Sequence, residues 1–326
     1  MTFDLTSTSP SEIIEVLTKA RHRMGGGAMG MVLTLVIVTD EANNYDAMRA
    51  AADAGREHPS RVIGLIRRDE RAESRIDAEI RVGETGPGET VLLRVYGKLA
   101  DHADSVIVPL LVPDSPVVTW WPGRAPMTPH EDPLGALARR RITDALGSPN
   151  PLRQLDGLAE RYAPGDTDLC WTRLTPWRTL LASTLDHPYG RIESAVVTGE
   201  ENHPSAELLA AWLMEKLGVP VERAFSGGPG LTEVRLHADH GEIALDRPDG
   251  RVATLCWPGQ PDRMVALHRR STAELIAEEL RRLDPDEVYG ETLKRAASEF
   301  PAGVPGEEPE PVHPRSADGG ADEHQA

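Results

Sequence analysis

Cysteine is scarce in this sequence: two residues in 326, with no Cys-x-x-Cys pair. That excludes a disulfide scaffold and a zinc site built on paired thiolates. Long apolar runs are missing as well. The longest, Met31 to Val38, is far too short to span a bilayer. There is no basic excess either, since 35 Lys and Arg stand against 52 Asp and Glu, a formal net charge of -17. Nucleic acid and anionic lipid both call for the opposite sign, so neither nucleic acid nor a membrane is expected as a partner. The need for solubility is sufficient reason for an acidic surface. The opening residues, MTFDLTSTSPSE, have neither a basic start nor an apolar secretory core, and the expected location is cytoplasmic.

The length suits two domains, and the hydrophobic fraction of 40% suits packed interiors. Ser9, Pro10 and Glu12 form a capping box with proline at the first helical position, followed by Ile13, Val16, Leu17 and Ala20 at helical spacing. Gly25 to Gly27 end that helix. Met31–Val38 reads as a strand buried on both faces, then a helix from about Tyr45 to Ala54, then a second apolar strand at 61–66. Strand, helix and strand indicate a parallel sheet. Residues 76–82 and 90–96 alternate around GETGPG and read as a hairpin. A helical stretch at 104–111 leads to a strand at 116–121, a proline-rich loop, and a helical stretch at 134–140.

The expected organisation is an α/β fold of two mixed-sheet units: an N-terminal domain (1–145), a helical connecting segment (146–189), a C-terminal domain (190–300) and an acidic disordered tail (301–326). In the connecting segment Thr175 is expected to cap a helix, with Pro176 at its first position. In the C-terminal unit a strand at 194–198 and a helix from Pro204 precede a three-stranded meander. Ser271 with Glu274, and Asp284-Pro285 with Glu287, signal two last helices. Val38-Thr39-Asp40-Glu41 and Trp121-Pro122-Gly123 in the first unit match Val197-Thr198-Gly199-Glu200 and Trp257-Pro258-Gly259 in the second. These landmarks are those of divergent copies of one plan, although their spacings differ.

Catalytic signatures are not apparent. The glycines of MGGGAMG follow a helix and precede a strand, the reverse of a phosphate-binding loop, and Gly227-Gly228-Pro229-Gly230 likewise precedes a strand. His237-x-x-His240 lies on a strand-to-turn transition without an obvious third ligand, so no metal is expected. The sequence has no Gly-x-Ser-x-Gly elbow. Tryptophan is what stands out. Trp120, Trp121, Trp171, Trp177 and Trp257 lie at element ends or beside arginine. A large ring beside a forked donor is the composition of interface hot spots, and the bland reading is that such rings fill seams between domains. Trp171, Arg173, Trp177 and Arg178 are the first candidate contact patch, with Trp120, Trp121 and Arg124 the second. Cys170 and Cys256 both occur as Leu-Cys-Trp and form a candidate redox pair only if the fold brings them together.

The stretch Asp168-Leu-Cys-Trp-Thr-Arg-Leu-Thr-Pro-Trp-Arg178 resembles the actinobacterial branch of the glucose-6-phosphate dehydrogenase assembly protein OpcA family. The opening helix running into VLTLVIVTD, Val118-Thr-Trp-Trp-Pro122, and Asp132-Pro-Leu-Gly135 with Arg141-Ile-Thr-Asp144 resemble it too, so that the likeness covers roughly residues 5–300. The resemblance implies a non-catalytic partner that assembles or activates glucose-6-phosphate dehydrogenase, without catalytic residues or a cofactor of its own. The competing expectation is an enzyme or sensor that binds a sugar phosphate or nucleotide in an α/β cleft near Thr39-Asp40.

Overall fold

The computed structural model describes residues 1–23, 30–68, 71–83, 88–185 and 190–302. The glycine connector, the centre of the GETGPG turn, the Asp186-His187-Pro188 stop and the tail from 303 onward lie outside the described residues.

The first sheet has eight strands: β1 (Thr2–Thr8), β2 (Leu33–Thr39), β3 (Ser60–Arg67), β4 (Arg75–Val82), β5 (Glu89–Tyr96), β6 (Val117–Trp120), β7 (Arg140–Thr143) and β8 (Asp166–Asp168). Their order is β1-β4-β5-β3-β2-β6-β7-β8. From β5 to β8 every pairing is parallel, and the β1-β4-β5 edge is antiparallel. Parallel strands are covered on both faces, which is why β2 and β3 are nearly continuous apolar runs. Helix α1 (Pro10–Arg23) seats Ile13, Leu17 and Ala20 on one face with Val36, Ile63 and Leu65. Its capping box is present: Ser9 N–H donates to Glu12 at 2.9 Å and Glu12 N–H to Ser9 Oγ at 3.3 Å.

The opposite face takes Leu35 and Ile37 against α2 (Asn44–Ala54), whose buried side is Ala47, Ala50, Ala51 and Ala54. Gly64 permits this close approach, because a Cβ there would lie 2.5 Å from Met48 Sδ. The small face of α2 also receives α8 (Thr272–Arg281), which places Leu275, Ile276 and Leu280 in the first sheet's core. Helix α3 (Ala103–Ile107) joins the α1 side.

Helices α4 (Pro151–Glu160), α5 (Leu169–Thr172) and α6 (Thr175–Thr184) contribute Leu155, Trp171 and Leu181 to the core of the second sheet. The second sheet comprises β9 (Ile192–Gly199), β10 (Val221–Phe225), β11 (Leu231–Ala238), β12 (Gly241–Asp246), β13 (Val252–Cys256) and β14 (Arg263–Ala266), in the order β10-β9-β11-β12-β13-β14. Helix α7 (Pro204–Leu217) covers its inner face and α9 (Glu287–Glu299) packs on α7, with Leu209, Leu213, Tyr289 and Leu293 in one core with Val197, Val234 and Leu236. Its outer face carries Glu233, Arg235 and His237 of β11 beside Glu242 and Asp246 of β12, then Thr254 and Met264.

Several local expectations are corrected. Residues 134–139 are turns, and the stretch from Arg140 is strand β7, because its backbone completes the ladder beside β6. The segment 146–189 is not wholly helical, since β8 within it pairs with β7. Strands β1, β10 and β14 are additional. Thr175 does not cap α6: its hydroxyl donates to Glu278 on α8 at 2.7 Å. Asp286, not Asp284, caps α9 by accepting from Tyr289 N–H. The two units share an opening strand–helix–parallel strand, but Trp121 follows a parallel strand and Trp257 an antiparallel one. The likeness of plan ends at that opening unit.

Candidate functional site

The tryptophans nominated as contacts are interior. Trp120, Trp121, Trp171 and Trp177 are only 1–2% exposed. Trp120 sits in the core beneath α2 and α8, and the 122–138 loop folds back so tightly over Trp121 that a Cβ at Gly135 would lie 3.2 Å from its ring. Trp171 donates its indole N–H to Asp286 at 2.9 Å and rests against Tyr289, while the Arg178 guanidinium lies 3.6 Å above its ring. Trp177 carries the Arg247 guanidinium at 4.9 Å. The first cation–π pair joins α5 to α6, and the second joins α6 to the end of β12. Arg173 and Arg178 are half-buried, and Arg124 is exposed.

Arg173 closes a polar knot under α5. It holds Asp144 through two bonds of 2.7 and 2.8 Å. Burial works against its charge, and the Asp144 pairing more than offsets that, so its pKa is raised. Asp168, fully enclosed, accepts from Thr143 hydroxyl (2.6 Å), Ala145 N–H (2.9 Å) and Cys170 N–H (2.8 Å). Burial, with Asp144 nearby, pushes its carboxyl upward. Asp144, Asp168 and Cys170 lie close enough to share a metal ion, but their acceptor atoms are taken by the arginine and these donors. Both cysteines are free. Burial, then Asp168, pushes the Cys170 thiol well up, whereas Cys256 is partly exposed on the second sheet and is raised by burial and by Asp262. His237 faces Glu242 at 3.2 Å on that sheet's outer side.

The feature with most chemical potential is a cavity of about 260 Å³ at the carboxyl end of β9. There β9 has β10 parallel on one side and β11 antiparallel on the other, the kind of crevice where open α/β sheets receive ligands. The amino end of α7 contributes His203 and Ser205, α5–α6 contribute Arg173 and Trp177, the end of β12 contributes Arg247, and the lead into α8 contributes Arg269 and Arg270. Gly230, at φ +63°, brings the loop close: a Cβ would stand 2.6 Å from Arg269 Nη2 and 3.1 Å from His203 Nε2.

Arg247 is 5% exposed and donates to the carbonyls of Leu267 (3.1 Å) and Leu231 (2.8 Å), leaving its buried Nε without a partner. Burial, with Arg269 nearby, lowers its pKa to about 10. His203, 8% exposed, also has an unpartnered Nδ1. Burial lowers its pKa to about 4; Glu200 opposes the shift, while Arg173, Arg269 and Arg223 add to it.

That depression has a definite sign. An unfolded imidazole titrates near 6.5, so as pH falls from 6.5 to 4 the unfolded chain takes the proton first and native stability drops. Above pH 6.5 the contribution is flat. The whole shift corresponds to about 3 kcal/mol. A His203→Gln protein should therefore lose roughly 2–3 kcal/mol less than the parent between about pH 7 and pH 4.5 in urea melts. Parallel pH profiles would show that this histidine is solvated and not buried neutral.

The equivalent strand end in the first unit, where the sequence suggests a cleft near Thr39-Asp40, presents carboxylates. Asp40 accepts from Asn43 N–H at 2.8 Å, and Glu41 faces Arg68 at 3.0 Å and Arg94 at 3.1 Å. The sequence signal for the observed cavity is Val197-Thr198-Gly199-Glu200 running into a helix start, the same residues that serve above as a repeat landmark.

Two family descriptions match the chain, both for domains of the "Glucose-6-phosphate dehydrogenase subunit": its N-terminal domain (OpcA_G6PD_assem) over residues 51–160 and its C-terminal domain (OpcA_G6PD_C) over 164–293. No functionally curated protein matches the sequence. Among solved structures, a mutant of KijD10, a 3-ketoreductase from Actinomadura kijaniata in complex with TDP-benzene and NADP, is 13% identical with a TM-score of 0.47, covering 82% of this chain and 95% of that one. A dehydrogenase (MviM) from Clostridium difficile is 8% identical with a TM-score of 0.43, covering 82% and 96%. At that distance neither carries functional weight.

Proposed function

The chain belongs to the OpcA family of glucose-6-phosphate dehydrogenase assembly proteins, and from that premise we propose that it acts as a non-catalytic partner of the dehydrogenase. It binds one conformational or oligomeric state of that enzyme more tightly than the others and shifts the population toward it. The observation that supports this reading is the family match across both units, over residues 51–160 and 164–293, which covers most of the folded chain. Moving an enzyme from about 1% to about 99% active assembly takes roughly 5.5 kcal/mol of differential affinity. Among the described residues, no helix is long and apolar enough to cross a membrane. We place the protein in the cytoplasm beside its partner.

The proposed contact is the outer face of the second sheet. Its charges alternate in sign along Glu233, Arg235 and Glu242, and Met264 stands 79% exposed at its margin. In this reading Met264 is the apolar contact, and the flanking charges fix the register of the partner. Arg124 is a second candidate, being the sequence-nominated contact side chain that is exposed.

The test is gel filtration with light scattering, plus dehydrogenase activity, with and without the purified chain. Arg235→Glu combined with Met264→Asp should weaken association at least about thirtyfold, a hot-spot loss of ~2 kcal/mol, while the melting temperature stays put. Unchanged co-elution and unchanged activation by that variant would remove the sheet face from consideration. Absence of any co-elution with the parent chain would remove the partner reading itself.

A further inference from the structure

The cavity at the carboxyl end of β9 is unusual for a chain of net charge -17, because its lining has four arginines and one carboxylate, Glu200. Two of the arginines are neutralised by acids: Arg173 by Asp144 and Arg270 by Glu278. The other two are not. Arg247 donates to carbonyl oxygens and lies over the Trp177 ring without an acid beside it, and Arg269 makes no ion pair or hydrogen bond among the described residues. A buried guanidinium without an acid is costly, and proteins retain one where an anion arrives to complete it.

Two further observations point to a ligand. The enclosed Nε of Arg247 and Nδ1 of His203 both belong to side chains lining this space, and neither has a hydrogen-bond partner. The cavity also lies at the amino end of α7, a helix of 14 residues, whose first turn adds partial positive charge. Beside Ser205 and His268 the lining is apolar, with Leu146, Leu174, Pro176, Trp177 and Leu231. Arginines together with apolar side chains fit a charged head joined to a small organic body. The volume is slightly below the ~300 Å³ at which small-molecule sites commonly begin.

We propose that this cavity is a binding site for a small phosphorylated compound, with Arg269 and Arg247 holding the phosphoryl oxygens, His203 and the first turn of α7 flanking them, and Leu174 and Trp177 receiving the carbon body. The inference goes beyond the partner role and is independent of it. Loading the site reinforces the link that Arg247, at the end of β12, already makes to the Leu231 carbonyl after Gly230 and to the Leu267 carbonyl before α8.

The experiment uses the full chain without the dehydrogenase. Inorganic phosphate, glucose 6-phosphate and glucose are each titrated by calorimetry and by thermal shift, against potassium chloride at matched ionic strength. Both phosphates should bind and raise the melting temperature, and glucose should not. Tighter binding of the ester than of inorganic phosphate would assign the apolar wall to the carbon body. Arg269→Ala, at an exposed side chain that the fold does not need, should weaken phosphate binding at least about tenfold, and Arg269→Glu should abolish it. Arg295→Ala, a surface arginine on α9, should leave it unchanged. Three results would each overturn the proposal: no phosphate binding to the parent chain, equal stabilisation by chloride, or parental affinity retained in the Arg269→Ala and Arg269→Glu proteins. Equal affinity of the two phosphates would overturn the role given to Leu174 and Trp177.

Discussion

Replacing Glu279 with alanine should destabilise the protein by about 3–5 kcal/mol in urea unfolding. Glu279, on α8, and Arg140, on β7, are both 5% exposed, and their side chains meet at 2.6–2.7 Å. The second carboxylate oxygen takes the Thr172 hydroxyl of α5, and Arg140 also donates to the Asp284 carbonyl at 2.8 Å. One carboxylate thus joins the first sheet, the middle helices and the C-terminal helix. Removing it strands a guanidinium in a dry site and frees a hydroxyl at the same moment. The double variant Arg140→Met with Glu279→Leu should recover most of the loss, because desolvating two charges offsets most of what their attraction returns. A single-variant cost below about 1 kcal/mol would mean that water reaches the pair.

Trp171→Ala should cost a similar amount, about 3–5 kcal/mol, and lower the melting temperature by roughly 6–15 °C. The ring fills the space between α5 and α9, supports the Arg178 guanidinium and pairs with Asp286. This variant also separates the two meanings a tryptophan beside an arginine can have. A surface hot spot loses partner affinity at constant stability, whereas an internal seam loses stability first. The expected result is the second: dehydrogenase binding measured well below the melting point should remain within a few fold of the parent. A normal melting temperature with binding lost would return Trp171 to the interface.

The elements most legible in the sequence are those whose signals are local. The valine-rich run of β2, the capping boxes at Ser9 and Ser271 and the alternation of β4 and β5 each fix an element from within a few residues. Strands β7 and β8, of four and three residues, have no such signal; Arg140-Arg141 reads as surface until Glu279 and Asp166 are placed beside it. The tryptophans mislead for a related reason. Polar neighbours such as Arg178 and Asp286 suggest exposure, but they are the partners that let an indole be buried where three elements meet. The arginines of the cavity come from positions 173, 247, 269 and 270, so only the folded chain gathers them.

Helix α8 makes the first sheet depend on sequence that is translated long after it. Leu275, Ile276 and Leu280 seal the face formed by β2, β6 and β7, yet about 130 residues separate the end of β7 from that helix. At ribosomal rates of roughly 5–20 residues per second, the N-terminal half waits from several seconds to about half a minute with this apolar strip uncovered. The nascent chain therefore passes through an interval in which it is open to chaperones and to premature association. The first sheet reaches its native packing only once α8 has been made.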